Sequence, residues 1–296
     1  MNEFKRLAKN KGLDVLENSI VVNESGIDFQ VAYAKDTLGS KWILRIPRRL
    51  DSMRSALKEK GALEIMEEHV SFQVPNWSIF DDELIAYKQL DGVPVATIDV
   101  EQQDYIWSFD KENTPQSYYQ SLGKVLAELH TLPHRHFKEI GIKTLYARDL
   151  KSSMKIRMEK VRQKYHVNSE LWERWQEWLA NDSLWPSQVG VSHGDLHPGH
   201  ILINKNCEVS GLIDWTEISI ADTSVDFLSH LLLFGKDGLT KLLDAYDNAG
   251  GRTWSRMDEH IIELLTTSAI TVAEFAEISD LQDMRETAAH MLTQNV

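Results

Sequence analysis

Two of the three carboxylates in one short stretch, VSHGDLHPGHILINKNCEVSGLIDW over Val191–Trp215, stand where reacting groups stand rather than where surface acids do. An apolar run leads into His193-Gly194-Asp195, and the turn His197-Pro198-Gly199 carries the chain to His200. Two short apolar runs follow, 201–203 and 209–213, split by a polar turn at 204–208; the second delivers Asp214 and Trp215. Asp195 and Asp214 are thus expected at strand ends on either side of a hairpin, a rigid support for a chemical group. A carboxylate on a tight loop can accept a proton from a hydroxyl. A donor five residues later, with a carboxylate after the next hairpin, can hold a magnesium ion and the phosphates it bridges. Phosphoryl transfer needs these two roles, and they fall to different carboxylates.

Other readings of the same residues exist. His193, His197 and His200 lie within eight residues and, with Asp195, have the composition of a zinc site. Their spacing is not that of the helical metalloprotease pair, and Pro198-Gly199 breaks any helix between His197 and His200. Asp195 alone also fits an Asx-turn residue.

Taken together, His193-Gly194-Asp195-Leu196, His200 and Ile213-Asp214-Trp215 resemble the aminoglycoside phosphotransferase family within the kinase-like fold. That family usually has Asn where this chain has His200. The His variant, with LRIPRR at 44–49 and VSGLIDW at 209–215, is similar to the macrolide 2′-phosphotransferase branch. The resemblance runs from about Val22 to about Ala273. It implies that Asp195 orients and deprotonates the acceptor hydroxyl and that His200 and Asp214 hold Mg²⁺. It implies that Asp226 braces the loop of His193 through buried hydrogen bonds. It also places Arg45 where the family has a phosphate-gripping Lys, and Glu59 where a helix carboxylate pairs with that cation. Backbone groups of Tyr87, Lys88, Gln89 and Leu90 would meet the nucleotide base, and His197 would line the sugar site. The hairpin tip around Ser25 and Gly26 would lay backbone amides over the phosphates, though with Gly26 alone it also reads as an ordinary hairpin.

Composition agrees with a soluble enzyme. The chain has 296 residues, 42% apolar and 26% charged, enough for two lobes and a large core. A single cysteine, Cys207, excludes an internal disulfide and suits a reducing cytoplasm. The N-terminus lacks an apolar signal core, and no apolar run reaches the ~18 residues a membrane span needs. The net charge of −13 argues against a nucleic-acid partner. Residues 1–60 carry 12 Lys+Arg against 8 Asp+Glu, the rest 20 against 37. A basic first part suits a polyphosphate; an acidic remainder suits metal ions and a cationic small molecule.

The elements that must hold these residues can be read in order. A short helix over 2–10 precedes strands at 20–22, 29–34 and 41–46. In the last, Trp42, Leu44 and Ile46 alternate with Arg45, which therefore leaves the apolar face. It can grip phosphate or simply face solvent. A helix over 55–68 with Leu57, Leu63, Ile65 and Met66 carries Glu59, which can pair with Arg45 or be solvated. The run 74–77 reads as a turn, 84–88 as a strand, 87–94 as the hinge and 97–115 as a polar loop. A helix over 116–131 has Leu122, Val125, Leu126 and Leu129 on one face. Helices at 148–165 and 170–181 follow, the second with Trp172, Trp175 and Trp178 down a core-facing side. Asp222 caps the next element, and helices are expected at 224–234, 238–248, 257–278 and 280–292.

The expectation is an α+β, two-lobe, protein-kinase-like fold: a nucleotide lobe over 1–90 with a small antiparallel sheet, and a larger helical lobe over 91–296. As the resemblance implies, the reaction is transfer of the γ-phosphate of GTP or ATP, with Mg²⁺, to the 2′-hydroxyl of a macrolide amino sugar by a cytoplasmic monomer. The alternatives are another small-molecule kinase of this fold, for an aminoglycoside, choline or homoserine, and a catalytically silent kinase-shaped binding protein.

Overall fold

The computed structural model describes residues 2–24, 28–99 and 104–294. It divides into two compact units that do not follow the chain as successive blocks: Met1–Tyr118, Pro133–Ile142 and Pro198–Ile218 form one, and Tyr119–Leu132, Lys143–His197 and Ser219–Val296 the other. The stretch 191–215 therefore contributes to both, changing unit between His197 and Pro198.

The first unit opens with α1 (Glu3–Asn10), capped by Asn2, whose side chain accepts the Phe4 amide at 2.9 Å. A five-stranded antiparallel sheet follows, built from β1 (Val21–Asn23), β2 (Phe29–Lys35), β3 (Lys41–Pro47), β4 (Trp77–Phe80) and β5 (Ile85–Lys88) in the order β1-β2-β3-β5-β4. The β2–β3 turn is fastened by Asp36, which accepts the amides of Leu38 and Ser40 and the Trp42 indole N–H at 2.9 Å. Leu44 and Trp42 pack with Phe4, Leu7 and Ala8 of α1. The expected alternation is present, and α1 covers the apolar face. On α2 (Leu50–His69) the buried stripe is Ala56, Glu59, Ala62, Leu63 and Met66, while Leu57, expected on the apolar face, is exposed. Glu59 thus occupies a core position, not a solvated one.

Two expectations in this unit are corrected. The segment 74–77 is not only a turn, because Trp77 begins β4. Nor is 97–115 only a loop: β7 (Ala96–Asp99) and β8 (Asp104–Trp107) pair antiparallel, with Ala96 opposite Trp107 and Ile98 opposite Tyr105. Before it, β6 (Val93–Pro94) pairs with the chain's later hairpin.

In the second unit, α3 (Gln116–His130, assigned to it from Tyr119) buries Leu122, Val125, Leu126 and Leu129 as expected. A short α4 (His134–Glu139), not foreseen, belongs to the first unit. Helices α5 (Ala147–Lys164) and α6 (Ser169–Ala180) build a core in which Trp175 and Trp178 are wholly enclosed and Trp172 partly so. Strands β9 (Gly190–Ser192) and β12 (Ser219–Ala221) pair here, whereas β10 (Ile201–Ile203) and β11 (Val209–Leu212) pair in the first unit. The run 224–248 is a 3₁₀ turn (Thr223–Phe227) leading into α7 (Leu228–Asn248), broken at Gly235, whose φ of 68° interrupts the helix close to the expected gap. The expected helix 257–278 is two, α8 (Met257–Thr266) and α9 (Ser268–Ser279), separated at Thr267, and α10 (Gln282–Thr293) closes the chain. Among the described residues no helix is long and apolar enough to cross a membrane.

Candidate active site

In the first unit, five of the residues singled out from sequence form a connected set. Arg45, on β3, sends Nη1 to both carboxylate oxygens of Glu59 at 3.2 and 3.4 Å. Its guanidinium carbon lies 4.4 Å from the Phe29 ring centroid and 5.2 Å from that of Trp77. Aromatic faces attract a guanidinium, so the charge is held from three sides. The side chains are nearly enclosed, 11% exposed for Arg45 and 3% for Glu59. Burial alone would lower the Arg45 pKa, but the Glu59 carboxylate together with Tyr87 and Asp214 outweighs it and the net shift is upward. Burial raises the Glu59 pKa against the pull of Arg45, and the charge of Asp214 adds to the rise.

The Glu59 carboxylate also accepts the backbone N–H of Trp215. One carboxylate thereby ties β3 to the residue after Asp214. The hairpin β10–β11 sets that register. Ile201 faces Leu212, Leu202 faces Gly211, and the Ile213 amide donates to the His200 carbonyl at 3.0 Å. Its turn is closed by Asn204, whose side chain accepts the amides of Asn206 and Glu208, with Cys207 in the left-handed region at φ 58°. Gln73 joins the other edge, its carbonyl accepting the Leu212 amide. A Cβ on Gly211 would lie 2.9 Å from the Gln73 carbonyl oxygen, so this approach requires glycine.

At the hairpin's end Asp214 has φ 64°, an uncommon conformation for a residue other than glycine that often marks a functional position. Its carboxylate is 45% exposed and lies 3.7 Å from His200 Nε2. Burial would raise the Asp214 pKa, but the neighbouring His200, the Thr216 hydroxyl at 2.8 Å and Arg45 hold it below the usual carboxylate value. An ionised, half-open carboxylate beside an imidazole is a fitting donor pair for a divalent cation. Mg²⁺ takes few protein ligands and completes its shell with water and phosphate oxygens.

The expected base-binding segment is the end of β5 and the loop after it. Tyr87 pairs with Ile43 and Lys88 with Trp42. The Gln89 amide donates to the Lys41 carbonyl at 2.9 Å, so Gln89 can offer a base its carbonyl but not its N–H. Burial pushes the Tyr87 phenol pKa upward, which keeps it neutral. Ser25 and Gly26 lie outside the described residues.

The second unit holds the loop of Asp195. His193 is fully buried, and its Nδ1 accepts the Asp195 amide at 3.3 Å. Gly194 has φ 86°, which a side chain would strain. The Asp226 carboxylate takes the amides of His193 and Gly194, each at 2.8 Å, one on each oxygen. Asp195 itself is exposed and His197 is half-buried. Asp222 caps the 3₁₀ turn through the Ser224 amide and pairs with buried His260 at 2.7 Å. Two residues of this network were not foreseen. His130, at the end of α3, reaches Asp226 Oδ2 at 3.0 Å through Nε2, and Tyr246 Oη at 3.0 Å through Nδ1. The available signal was an imidazole at the end of a buried helix face.

The chain is similar to known proteins over nearly all of its length. Residues 19–260 match the model of the APH phosphotransferase enzyme family. The uncharacterized protein YcbJ of Bacillus subtilis (strain 168) is 40% identical over 93% of this chain and 90% of its own. Among solved structures, the macrolide 2′-phosphotransferase MphH from Brachybacterium faecium, an apoenzyme, superposes with a TM-score of 0.92 at 30% identity, covering 100% of this chain and 99% of that one. A type I macrolide 2′-phosphotransferase gives 0.91 at 33% identity, with 99% and 96% covered. The fold is accordingly the mixed α+β, kinase-like one, a small antiparallel-sheet part and a larger helical part. With motif, geometry and family model in agreement across more than half of its length, the chain belongs to the APH phosphotransferase enzyme family.

Proposed function

We propose that this protein is a macrolide 2′-kinase, transferring the γ-phosphate of GTP or ATP to the 2′-hydroxyl of a macrolide's amino sugar. The observation that carries it is the full-length likeness, in sequence and in fold, to two macrolide 2′-phosphotransferases. Supporting it, the first unit gathers Arg45, Glu59, His200 and Asp214 around one hairpin end. In this reading Arg45 binds phosphate oxygens, its fork kept in place by Glu59 and two rings. Tyr87, Lys88, Gln89 and Leu90 meet the base, and Ser25 and Gly26 cover the phosphates. Asp214 and His200 hold Mg²⁺, which when bound neutralises charge on the phosphates. Asp195 orients the acceptor hydroxyl and takes its proton as the oxygen attacks. His197 lines the sugar, and Asp226 and His193 hold the loop. The protein works as a cytoplasmic monomer.

A macrolide is a large apolar ring bearing a tertiary amine that is cationic near neutral pH. The excess of 37 acidic over 20 basic residues beyond residue 60 favours such a ligand. That attraction is screened over about 8 Å at physiological salt, so added salt should lower kcat/KM more than kcat. The deciding experiment incubates the protein with macrolides and aminoglycosides, with ATP and GTP in parallel, and follows products by mass spectrometry. A phosphate on the amino-sugar hydroxyl of a macrolide is expected. Efficient phosphorylation of an aminoglycoside with no macrolide product would overturn the assignment.

A further inference from the structure

The buried chain behind Asp226 has one arrangement of protons for a neutral His130 ring. His130 Nε2 meets a carboxylate that can only accept, so a neutral ring carries its one proton there, and Tyr246 Oη, 3.0 Å from Nδ1, is the donor to the other nitrogen. Nδ1 is then bare and accepts. Nε2 faces Asp226 Oδ2 at 3.0 Å, so the donor and acceptor match. Asp226 in turn accepts the His193 and Gly194 amides, and the next residue is Asp195. His130 and Asp226 are 1% and 2% exposed, so water does not substitute for a missing partner. Gly190, just before this loop, lies so near that a Cβ there would sit 2.5 Å from the His130 carbonyl oxygen.

We propose that His130 is a positioning residue for phosphoryl transfer: held by Tyr246 in its Nε2–H tautomer, it fixes Asp226 and through it the loop that carries Asp195. The inference rests on the kinase reading for its catalytic consequence, and on hydrogen bonding alone for its structural one. A carboxylate fixed at one oxygen by a side-chain donor cannot rotate to release either loop amide, so the general base stays in register with its acceptor. A misplacement of about 1 Å at a reacting group can cost on the order of 10²-fold in rate.

The test separates the two ring nitrogens. In Gln, Nε2 overlays the His Nε2 and can still donate to Asp226. In Asn, Oδ1 overlays Nδ1 and meets Tyr246 while the Asp226 contact is lost. His130→Gln should keep kcat within about threefold, and His130→Asn should lose on the order of 10²-fold in kcat with little change in nucleotide KM. Hydrogen exchange at the His193 and Gly194 amides should be faster in His130→Asn than in wild type and unchanged in His130→Gln. That readout needs no turnover, so a failure of the macrolide assignment shows in the wild-type assay and a failure of this inference shows in the exchange. Tyr246→Phe serves where His130→Asn does not fold, and should speed exchange at the same two amides. Equal behaviour of the Asn and Gln variants, amide exchange untouched in His130→Asn or Tyr246→Phe, or ¹⁵N shifts showing His130 protonated on Nδ1 alone would each overturn the proposal.

Discussion

Replacing Glu59 by Gln separates the structural from the functional role of the Arg45 pair. Gln keeps the volume and the acceptor for the Trp215 N–H, and removes only the charge. At 3.2 Å and an effective dielectric of about 20, the lost attraction is about 5 kcal/mol before desolvation is counted. With both partners nearly enclosed, the variant leaves a guanidinium without its counter-ion, for which about 3–5 kcal/mol is typical. The Phe29 and Trp77 faces return part of this, so a loss of about 2–4 kcal/mol is expected from urea unfolding with m unchanged. The double variant Arg45→Met/Glu59→Gln removes the stranded charge and places an apolar stem between the rings. It should recover most of the stability while nucleotide KM stays raised, because the Arg45 guanidinium is no longer there to meet the phosphates. A single variant that costs under about 1 kcal/mol, or a double variant no more stable than the single, would refute the reasoning.

Three further outcomes are expected. Asp195→Ala should lower kcat by about 10²–10⁴-fold with nucleotide binding retained by calorimetry, and more than half of the wild-type kcat would exclude it as the base. Asp222 is buried, which alone would raise its pKa, yet the charge of His260 and hydrogen bonds from His260 and Ser224 hold it below the ordinary value. A depressed folded pKa means stability present above the unfolded value, about 3.9, and lost as pH falls through the folded one; Asp222→Asn should therefore flatten the fall in urea midpoint below about pH 4, and parallel curves would contradict this. On α3, a Cβ at Gly123 would lie 2.6 Å from the backbone of Ala245 and Tyr246, so Gly123→Ala should destabilise by about 1–3 kcal/mol despite its better helix propensity, and a raised Tm would count against that packing.

The sequence by itself determined the elements whose signals are local. Alternation of Trp42, Leu44 and Ile46 turned Arg45 away from the α1 side of the sheet, and heptad-like spacing in 116–131 marked a buried helix face. Apolar runs around a polar turn gave the β10–β11 hairpin, and with it the placing of Asp214 beside His200. Such patterns are legible because one period, near 2 or near 3.6, is enforced by one buried face. Tertiary structure decided what depends on distant partners. Glu59 reads as one acid among many in a charged helix, and only Arg45 and the Trp215 amide make its buried position tolerable. The pairing of β7 with β8 and the break at Thr267 were missed because polar strands and short turns carry weak periodicity. His130, Asp226 and Tyr246 come from three separate parts of the chain, and nothing in their spacing marks them as partners. Their pairing is imposed by the cost of burying an unsatisfied polar group, a constraint that exists only once the chain has folded around them.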